Sequence, residues 1–577
     1  MTGTARDLGA ASSAIELAPP VDPALMMRHL TALARWTKLS GTAEEAESLR
    51  YVERQMASYG YATRIIHHPA YISLPGRARV VADGRELRAI THSMSQSSPP
   101  SGTTGPLVYV GKGTEGDFAG RDLRGAIVLV EGMATPQVAL RASQAGAAGQ
   151  LHVSPHEHLH EMCISPVWGS PDTRTMAMMP TTVALTVSAA DGGALRDALA
   201  RGERPEVVLH AEVDTGWRQT PILVADMAAP GATEDTPFVL FSGHHDTWYK
   251  GVMDNGAANV TMMEVARVAA EQQRHWRRSL RFCFWSGHSH GRYSSSVWYV
   301  DAHWQELARR CAVHVNVDST GGMGATNLAE AAAATEFAAL ANDVLTAEAG
   351  QPFSGHRLGR NADQSFWGVG IPSIFGVLSS QPEDDLGLRN SLGWWWHTPD
   401  DLLDKIDPAL LDRDTRIYRR LILRLLTEPV LPLDPAGQVE DLHTTLREIG
   451  LSNDHGLPLC ETLAEIADLH EACATFAEGR AGLAGERAAA ADHMLMRVGR
   501  ALVPMDYTSG NRFAHDPALP QTKWPALDPL RRFAAARRDA ADWYPLQIEA
   551  RRALNAVRHA VGEARREFAL FERTANS

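Results

Sequence analysis

The stretch that decides the fold of this 577-residue chain reads Phe238-Val-Leu-Phe-Ser-Gly-His-His-Asp-Thr-Trp-Tyr-Lys-Gly-Val-Met-Asp-Asn-Gly-Ala-Ala-Asn-Val260. Its first four residues are apolar and predict a buried strand. Three polar residues that can bind a metal ion or move a proton follow, His244, Asp246 and Asp254, and a helical pattern then begins. Because ligands of open α/β sheets bind beyond the carboxyl ends of the strands, the stretch predicts a functional site here.

These polar side chains have the chemistry of a metal site. His244 and Asp254 offer the nitrogen and oxygen ligands that zinc and related divalent ions accept. Asp246, two residues after His244, is predicted to accept a hydrogen bond from the ring nitrogen that faces away from the metal, which fixes the tautomer. The alternative interpretation is a polar loop after a core strand, and this stretch by itself leaves both open.

The rest of the chain repeats the pattern of a buried strand with polar residues after it. Further strands are predicted at Leu280–Trp285, Ala312–Val317 and Ile371–Phe375. Strands that alternate with helices predict an α/β fold with a mostly parallel core sheet flanked by helices. The polar residues that follow these strands, or lie in loops that could fold over them, are His288, His290, Asp318, Asn361 and His397.

Composition shifts divide the chain into four predicted parts. Residues 1–22 form a loose N-terminus, residues 23–100 and 221–430 form a discontinuous α/β domain, residues 101–220 form a β-rich insert, and residues 431–577 form a helical domain. The insert carries four histidines between His152 and His160. We interpret them as a polar loop near a cleft, because no cysteine or second histidine group completes a tetrahedral site.

Charge and hydropathy exclude some partners. The formal charge of −13 is spread along the chain, which speaks against a nucleic-acid partner. No run of about 18 apolar residues is present, so no membrane span is predicted. Five scattered cysteines predict free thiols in a reducing compartment, so the expected location is cytoplasmic, with a trimmed leader as the exception.

Five motifs in order resemble the co-catalytic zinc peptidases, which include glutamate carboxypeptidase and the bacterial zinc aminopeptidases. The motifs are Ser242–Trp248, Asp254, Asn316–Asp318, Ala362–Phe366 with Gly370–Ser373, and His397–Asp401. The resemblance implies one metal ion at His244, Asp254 and Asp318, and another at Asp254, His397 and a histidine of the His288/His290 pair. The insert is similar to a protease-associated insert. The tail is similar to the dimerisation domain of glutamate carboxypeptidase and transferrin receptor, which implies a homodimer.

One motif departs from the family pattern Trp-x-x-Glu-Glu-x-Gly-Leu-x-Gly-Ser. Here the chain reads Trp285-Ser-Gly-His-Ser-His-Gly-Arg-Tyr-Ser-Ser295. His288 stands in the place of the general base and Ser289 in the place of a metal ligand. Either His288 or His290 therefore replaces the carboxylate on the metal, or the second metal is lost. His288 is alternatively a proton shuttle, since imidazole titrates near neutral pH.

The motifs and their departure from the family pattern favour two functions. The first is a metal-dependent hydrolase that cleaves an amide C–N bond of a small molecule or unusual peptide, with one or two divalent ions per chain. Zinc is expected first, and iron or manganese second, because a neutral imidazole replaces an anionic ligand. The second is an inactive peptidase homologue that acts as a binding or scaffold protein. Metal chemistry other than hydrolysis is a further alternative.

Substrate contacts are predicted at Trp396, Arg360 and Asn361. The run Trp394–Trp396 is either core packing or an aromatic wall for the substrate. Arg357, Arg360 and Arg389 are candidates to bind a substrate carboxylate, and ordinary surface arginines are the alternative.

Overall fold

The computed structural model of the chain describes residues 16–329, 331–383, 391–452 and 455–575. Most of the predicted loose N-terminus and Arg389 lie outside these residues. The part of that N-terminus nearest the core is held in place: Arg267 donates to the Pro20 carbonyl, Arg419 donates to the Pro19 carbonyl, and the Asp22 N–H donates to Glu264.

The core of the α/β domain is an eight-stranded mixed sheet. Its strands run in the order β13-β12-β10-β11-β9-β1-β2, and β4 pairs with β9 outside this path. The strands β13, β12, β10 and β11 are parallel to one another. From β11 onward, each of β9, β1 and β2 runs antiparallel to the strand before it in this order. These strands are β1 (Ala62–Ala82), β2 (Arg85–Leu87), β4 (Thr103–Thr104), β9 (Val207–Met227), β10 (Phe238–His244), β11 (Ser279–Trp285), β12 (Cys311–Asn316) and β13 (Ser373–Ile374).

The strand β10 is an inner strand of the sheet, and its apolar sequence favours burial on both faces. All seven of its residues are buried, as are all those of its neighbours β11 and β12. A parallel strand covered on both faces needs such a continuous apolar run. The predicted α/β fold with flanking helices is thereby confirmed, and the four strands β10 to β13 are parallel as predicted, whereas the sheet as a whole is mixed. The strand β13 covers only two residues of the predicted strand Ile371–Phe375.

The insert is itself an α/β unit with a second, five-stranded sheet in the order β3-β8-β7-β6-β5. Four of its strands are parallel, and only β3 is antiparallel. The long strands β1 and β9 pair from Ala62–Asp226 to Ala82–Val207. The far end of this ribbon packs on the second sheet through Val80, Val207 and Leu209. The strands of this sheet are β3 (Ala89–Thr91), β5 (Leu107–Tyr109), β6 (Ile127–Glu131), β7 (Gly149–Val153) and β8 (Val183–Val187).

Helices cover both sheets and form the tail. They are α1 (Pro23–Leu33), α2 (Ala43–Ser58), α3 (Glu115–Phe118), α4 (Pro136–Gln144), α5 (Ala189–Ala200), α6 (Ala258–Glu271), α7 (Ser294–Arg310), α8 (Ala338–Ala349), α9 (Pro408–Thr427), α10 (Pro435–Glu448), α11 (Leu459–Gly479), α12 (Gly485–Tyr507), α13 (Asp528–Ala535) and α14 (Trp543–Ala575). The predicted helical domain at residues 431–577 thus contains the helices α10 to α14, with a break between α13 and α14.

The helical tail packs on the α/β domain through buried charged side chains. Arg278, at the start of β11, forms a buried ion pair with Asp492 of α12, with both nitrogen–oxygen bonds at 2.7 Å. Arg500 of the same helix donates to the carbonyl of Gly370 at 2.8 Å. Gly370 has a φ of +89°, and a Cβ there would lie 2.4 Å from the Cα of Arg500. Glycine is required at this close approach.

The remaining features of the fold concern membrane-spanning helices and cysteines. Among the described residues, no helix is both long and apolar enough to cross a bilayer. All five cysteines lie in the described part of the chain, and none of them forms a disulfide. Four are buried, namely Cys163, Cys283, Cys311 and Cys473.

Candidate metal centre

Three predicted ligands meet at the carboxyl ends of β10 and β12. The Nε2 atom of His244 lies 3.1 Å from Asp254 Oδ1 and 3.7 Å from Asp318 Oδ1. All three side chains are buried or nearly so. Burial lowers the pKa of His244, but the two carboxylates beside Nε2 outweigh it and raise that pKa well above its ordinary value. The pocket therefore attracts positive charge at the point where the three side chains face one another.

Asp254 also contacts a fourth predicted ligand. Its second carboxylate oxygen lies 3.0 Å from Nε2 of His397. One carboxylate thus stands between two imidazoles, with Oδ1 toward His244 and Oδ2 toward His397. Burial alone would raise the pKa of Asp254, but its contacts with both histidines hold that pKa far below its usual range.

The tautomer of His244 is fixed differently from the prediction. Its Nδ1 atom donates to the main-chain carbonyl of Asp246 at 2.8 Å, whereas the carboxylate of Asp246 lies 3.9 Å away. The result for the ring is the one expected, because a proton on Nδ1 leaves the lone pair of Nε2 facing Asp254 and Asp318. The predicted role of the Asp246 side chain is nevertheless wrong, since the backbone performs it.

The carboxylate of Asp246 instead holds the loop after β11. It accepts hydrogen bonds from the Ser40 hydroxyl at 2.7 Å, from the Ser289 N–H at 2.9 Å and from the His288 N–H at 3.2 Å. Burial would raise the pKa of Asp246, but the bond and charge of His290 and the charges of His244 and His288 lower it well below its usual range. Asp246 is thus a positioning carboxylate, fully buried below the site.

His288 is the histidine of the altered motif that reaches the cluster. Its ring stacks on that of His244, with centroids 3.7 Å apart and planes at 15°. One ring nitrogen of His288 lies within 4.8 Å of ligand atoms of both His244 and Asp318. Its Nδ1 atom lies 2.8 Å from Asp363 Oδ2, so a hydrogen bond to that carboxylate leaves Nε2 as the free nitrogen.

His290 lies elsewhere, which corrects its prediction as a metal ligand. Its Nδ1 atom shares a hydrogen bond of 2.9 Å with the Ser40 hydroxyl, and its ring packs 4.4 Å from that of Trp248. It is buried beside Asp246 and is absent from the His244–His288–Asp318 group. The pairing of the second ion with His288 also changes, because His288 joins His244 and Asp318 rather than His397. The Ser289 hydroxyl is buried without a hydrogen-bond partner.

The turn that carries Asp254 is held by a residue that sequence reasoning missed. Both carboxylate oxygens of Asp401 accept main-chain N–H groups, from Met253 at 2.8 Å and from Asp254 at 3.0 Å. Burial raises the pKa of Asp401 to about 7, because the two hydrogen bonds, which lower that pKa, offset only part of the effect. The sequence feature that could have identified Asp401 is its position at the end of the His397–Asp401 motif. Gly251 is needed in the same turn, since a Cβ there would lie 2.3 Å from the Asp254 carbonyl oxygen.

The insert contributes to the site by holding His397. The Nδ1 atom of His397 donates to the Glu161 carbonyl at 2.6 Å, and the Glu161 N–H donates to the His397 carbonyl at 3.1 Å. His160 donates from its own Nδ1 to the carbonyl of Trp396. His397 has a φ of +59°, a conformation that costs a residue with a side chain about 1–3 kcal/mol and that surrounding contacts must hold.

The histidine group of the insert forms a hydrogen-bonded chain. The His158 N–H donates to His156 Nδ1 at 3.1 Å, and the Nε2 atoms of His156 and His160 lie 3.3 Å apart. Burial lowers the pKa of His160 to about 3, so its ring is neutral. His152 lies apart from this chain, beside Gln150. None of these histidines belongs to a group of three possible metal ligands within the described ranges.

The metal cluster opens into a cavity of about 490 Å³, called here the central cavity. Its wall combines residues of the α/β domain with the insert segments 134–137 and 162–163 and the tail segment 518–522. The three predicted substrate residues line it. Trp396 stacks on His397 at 3.5 Å, Asn361 is exposed, and Arg360 donates to the carbonyls of Asp516 and Pro517 at 2.9 and 3.0 Å.

The side chains of the cluster fit a divalent transition metal. The donor set of imidazole nitrogens and carboxylate oxygens is one that zinc, iron and manganese accept. Although His244 Nε2 and Asp254 Oδ1 are close, both are buried without a hydrogen-bond partner. Such orphaned buried atoms are rare in proteins and point to a missing cation.

Comparisons with known proteins agree with this geometry. The model of peptidase family M28 matches residues 223–422, which include β10, β11 and β12 and the residues His244, Asp254, Asp318 and His397. The chain contains a peptidase family M28 domain. With the helices around its sheet, this M28 domain has the fold of a metallopeptidase-like hydrolase.

Relatives of the M28 domain include peptidases of two kinds. The chain is similar to the probable glutamate carboxypeptidase VP8 of Zea mays, with 23% identity over 509 residues that cover 74% of this chain and 70% of that protein. Among solved structures, an aminopeptidase from Aneurinibacillus sp. strain AM-1 superposes with a TM-score of 0.56, at 21% identity, over 72% of this chain and 96% of its own. BSAP, a zinc aminopeptidase from Bacillus subtilis, gives a TM-score of 0.54 at 19% identity, over 71% and 96%. At these identities the two structures show the shared fold.

Proposed function

We propose that the protein is a metal-dependent hydrolase that cleaves an amide C–N bond of a small molecule or unusual peptide. The observation that carries the proposal is the carboxylate of Asp254, which lies 3.1 Å from His244 Nε2 and 3.0 Å from His397 Nε2. A carboxylate placed between two imidazoles is arranged to bridge two cations or to hold one firmly.

The residues that would hold metal are assigned from their contacts. His244, Asp254 and Asp318 would hold one ion, and Asp254 with His397 would hold a second where two are bound. His288, whose Nε2 atom is free beside the first group, is assigned to proton transfer. A divalent ion there would polarise the scissile carbonyl and lower the pKa of the attacking water. Zinc is the first expectation, with iron or manganese as alternatives.

His288 would take the place of a general base. The carboxylate of Asp363 holds its Nδ1 proton, so Nε2 is free to accept a proton from water and return it to the leaving nitrogen. An imidazole differs from a carboxylate in this position, because it has no negative charge and its protonated form gives up a proton less readily than a carboxylic acid does. The preferred substrate is therefore an amide with a good leaving group rather than an ordinary peptide.

The proposal is tested first by metal content. Protein purified without chelator should contain one to two transition-metal ions per chain by elemental analysis, and Asp254→Ala should lose them because this carboxylate contacts both histidines. Asp172→Ala, in a half-exposed turn of the insert, is the matched control and should keep the metal. A wild-type protein that takes up neither zinc nor manganese nor iron would contradict the proposal.

The reaction is tested by a screen of small amides, ureas and dipeptides with metal-reconstituted protein. The double variant His288→Glu/Ser289→Glu restores two carboxylates to the altered motif. It should gain activity on standard dipeptides and lose activity on the small amide that the wild type prefers. A wild type that cleaves standard dipeptides as fast as ordinary metallopeptidases would show that this interpretation of the motif is wrong.

One observation favours the second candidate, an inactive binding or scaffold protein. At the position of a metal-binding glutamate the chain has Ser289, whose buried hydroxyl contacts no hydrogen-bond partner. A scaffold protein would show no turnover in the screen and the same thermal stability with and without metal. Turnover that depends on added metal would exclude it.

A further inference from the structure

Three arginines line the central cavity, and their partners differ. Arg357 forms an ion pair with the buried carboxylate of Asp506. Arg360 has its terminal nitrogens on two carbonyls of the tail and stacks 4.3 Å over Trp168. Both guanidinium groups are thus engaged in holding the tail against the cavity wall. The third arginine, Arg292, has no comparable role.

Arg292 carries a charge that no neighbouring carboxylate balances among the described residues. Its Nη2 atom donates a hydrogen bond to the main-chain carbonyl of Cys163. Its Nε atom is buried without an acceptor, and its guanidinium lies 5.6 Å from the ring of Tyr293. Across the described residues, no carboxylate lies within ion-pairing distance of it. The groups that act on it electrostatically are the side chains of Cys163 and Tyr293, which also contact it by hydrogen bonds.

A half-buried guanidinium without an anion destabilises a protein, so its position beside a cavity calls for an explanation. The carboxylates of the metal cluster do not supply one, because Asp254 and Asp318 carry two negative charges that one divalent ion would balance. Arg292 then remains a cation of the cavity wall without an ion-pair partner. A cation in this setting raises the affinity for an anionic ligand.

The sequence around Arg292 supports a role in recognition. The family pattern has leucine at this position, four residues after the first glutamate, and in this chain that glutamate is replaced by His288. A new charge and a changed catalytic group occur within five residues of each other.

We propose that Arg292 binds a carboxylate of the substrate, so that the substrate is an acylated amino acid or similar small amide with a free carboxylate. This inference rests on the proposed hydrolase function and names its substrate class. The terminal edge of a guanidinium, formed by Nη1 and Nη2, matches the two oxygens of a carboxylate. Trp396 and Trp168 in the same cavity offer surface for an apolar or aromatic acyl group.

The test compares two probes that differ only in charge, hippurate (N-benzoylglycine) and its carboxamide. Calorimetry with the metal-loaded wild type should show hippurate bound about 10- to 100-fold more tightly than the carboxamide, the strength of a charged hydrogen-bonded pair. Arg292→Gln should abolish this preference, and Arg292→Lys should keep part of it. The matched control Arg174→Gln changes an exposed arginine of the insert and should leave the preference intact.

The outcomes separate this inference from the proposed function. Equal weakening of both probes in Arg292→Gln, or an unchanged preference, would overturn the carboxylate role, because a merely structural arginine would not distinguish the probes. A wild type that binds neither probe would overturn it as well. If hippurate binds through Arg292 and no amide is ever hydrolysed, the inference stands and the hydrolase proposal fails. Direct binding of the hippurate carboxylate to the metal would occur equally in the wild type and in Arg292→Gln. It therefore cancels when the two proteins are compared.

Discussion

His397 and Glu161 hold each other by two hydrogen bonds: the Nδ1 atom of His397 donates to the Glu161 carbonyl at 2.6 Å, and the Glu161 N–H donates to the main-chain carbonyl of His397 at 3.1 Å. Glu161 belongs to the insert, whereas His397 lies in the α/β domain more than 200 residues later. A proton on Nδ1 leaves Nε2 of His397 as the atom that faces Asp254. The insert is therefore part of the metal centre as well as part of the cavity wall.

His160→Ala should weaken the metal site at His397. The variant removes the donor to the Trp396 carbonyl, next to His397, and loosens a residue held at a φ of +59°. Loss of such a supporting contact typically lowers metal affinity about 10- to 100-fold. A chelator titration followed by elemental analysis measures the effect. The control His67→Ala changes an exposed histidine, and identical titrations for wild type and His160→Ala would contradict the role of the insert.

Asp363→Asn should slow the chemical step without removing the metal. Asp363 accepts from Nδ1 of His288 at 2.8 Å, and an amide group can present its N–H₂ instead and turn the ring to the wrong tautomer. We expect kcat on the best substrate of the amide screen to fall about 10- to 100-fold with KM little changed. Metal content and melting temperature serve as controls. A fall in metal content that parallels kcat would assign Asp363 to metal binding rather than to positioning.

Glu336 should make the folded state less stable as the pH rises. Its carboxyl is buried, one oxygen has no hydrogen-bond partner, and burial raises its pKa to about 8 despite the nearby charge of Arg357. In the unfolded chain the carboxyl titrates near its ordinary value of about 4.3. The protonated acid therefore contributes its stability below that pH, and this contribution is lost between about pH 4.5 and 8, at about 1 kcal/mol per pH unit.

The measurement for Glu336 is urea unfolding at several pH values. Glu336→Gln should remove much of the decline between pH 5 and 8 and should be more stable than the wild type at pH 8. The control Glu486→Gln, at an exposed position in α12, should follow the wild type. A variant that is less stable than the wild type by the same amount at every pH would show that the carboxyl stays ionised in the folded protein.

The helical tail is proposed to form a homodimer. The structure leaves two large side chains of α14 exposed one helical turn apart, Tyr544 at 73% and Ile548 at 53%. Together they form an apolar face that a second copy of the chain could cover. Light scattering at micromolar concentration should give twice the chain mass, and Tyr544→Lys/Ile548→Lys should give the monomer mass. A wild type that is monomeric under these conditions contradicts the proposal.

Several features were predictable from the sequence for local reasons. A buried strand of a parallel sheet needs a continuous apolar run, and its carboxyl end can be seen where polar residues begin. His244 and Asp318 could be placed at one edge of the sheet because His244 ends the strand β10 and Asp318 follows the strand β12 by two residues. The repeated alternation of strands and helices was enough for the α/β fold.

Only the tertiary structure decided which histidine of the altered motif joins the candidate metal ligands. His288 and His290 lie two residues apart in a loop with positive φ at Gly287, Arg292 and Tyr293, so no strand or helix period predicts their directions. The partners Asp363 for His288, Asp401 for the Asp254 turn and Glu161 for His397 lie 75 to 236 residues away in the chain. Such pairs are determined by the packing of whole elements, whereas spacing along the chain reports only what neighbours can do.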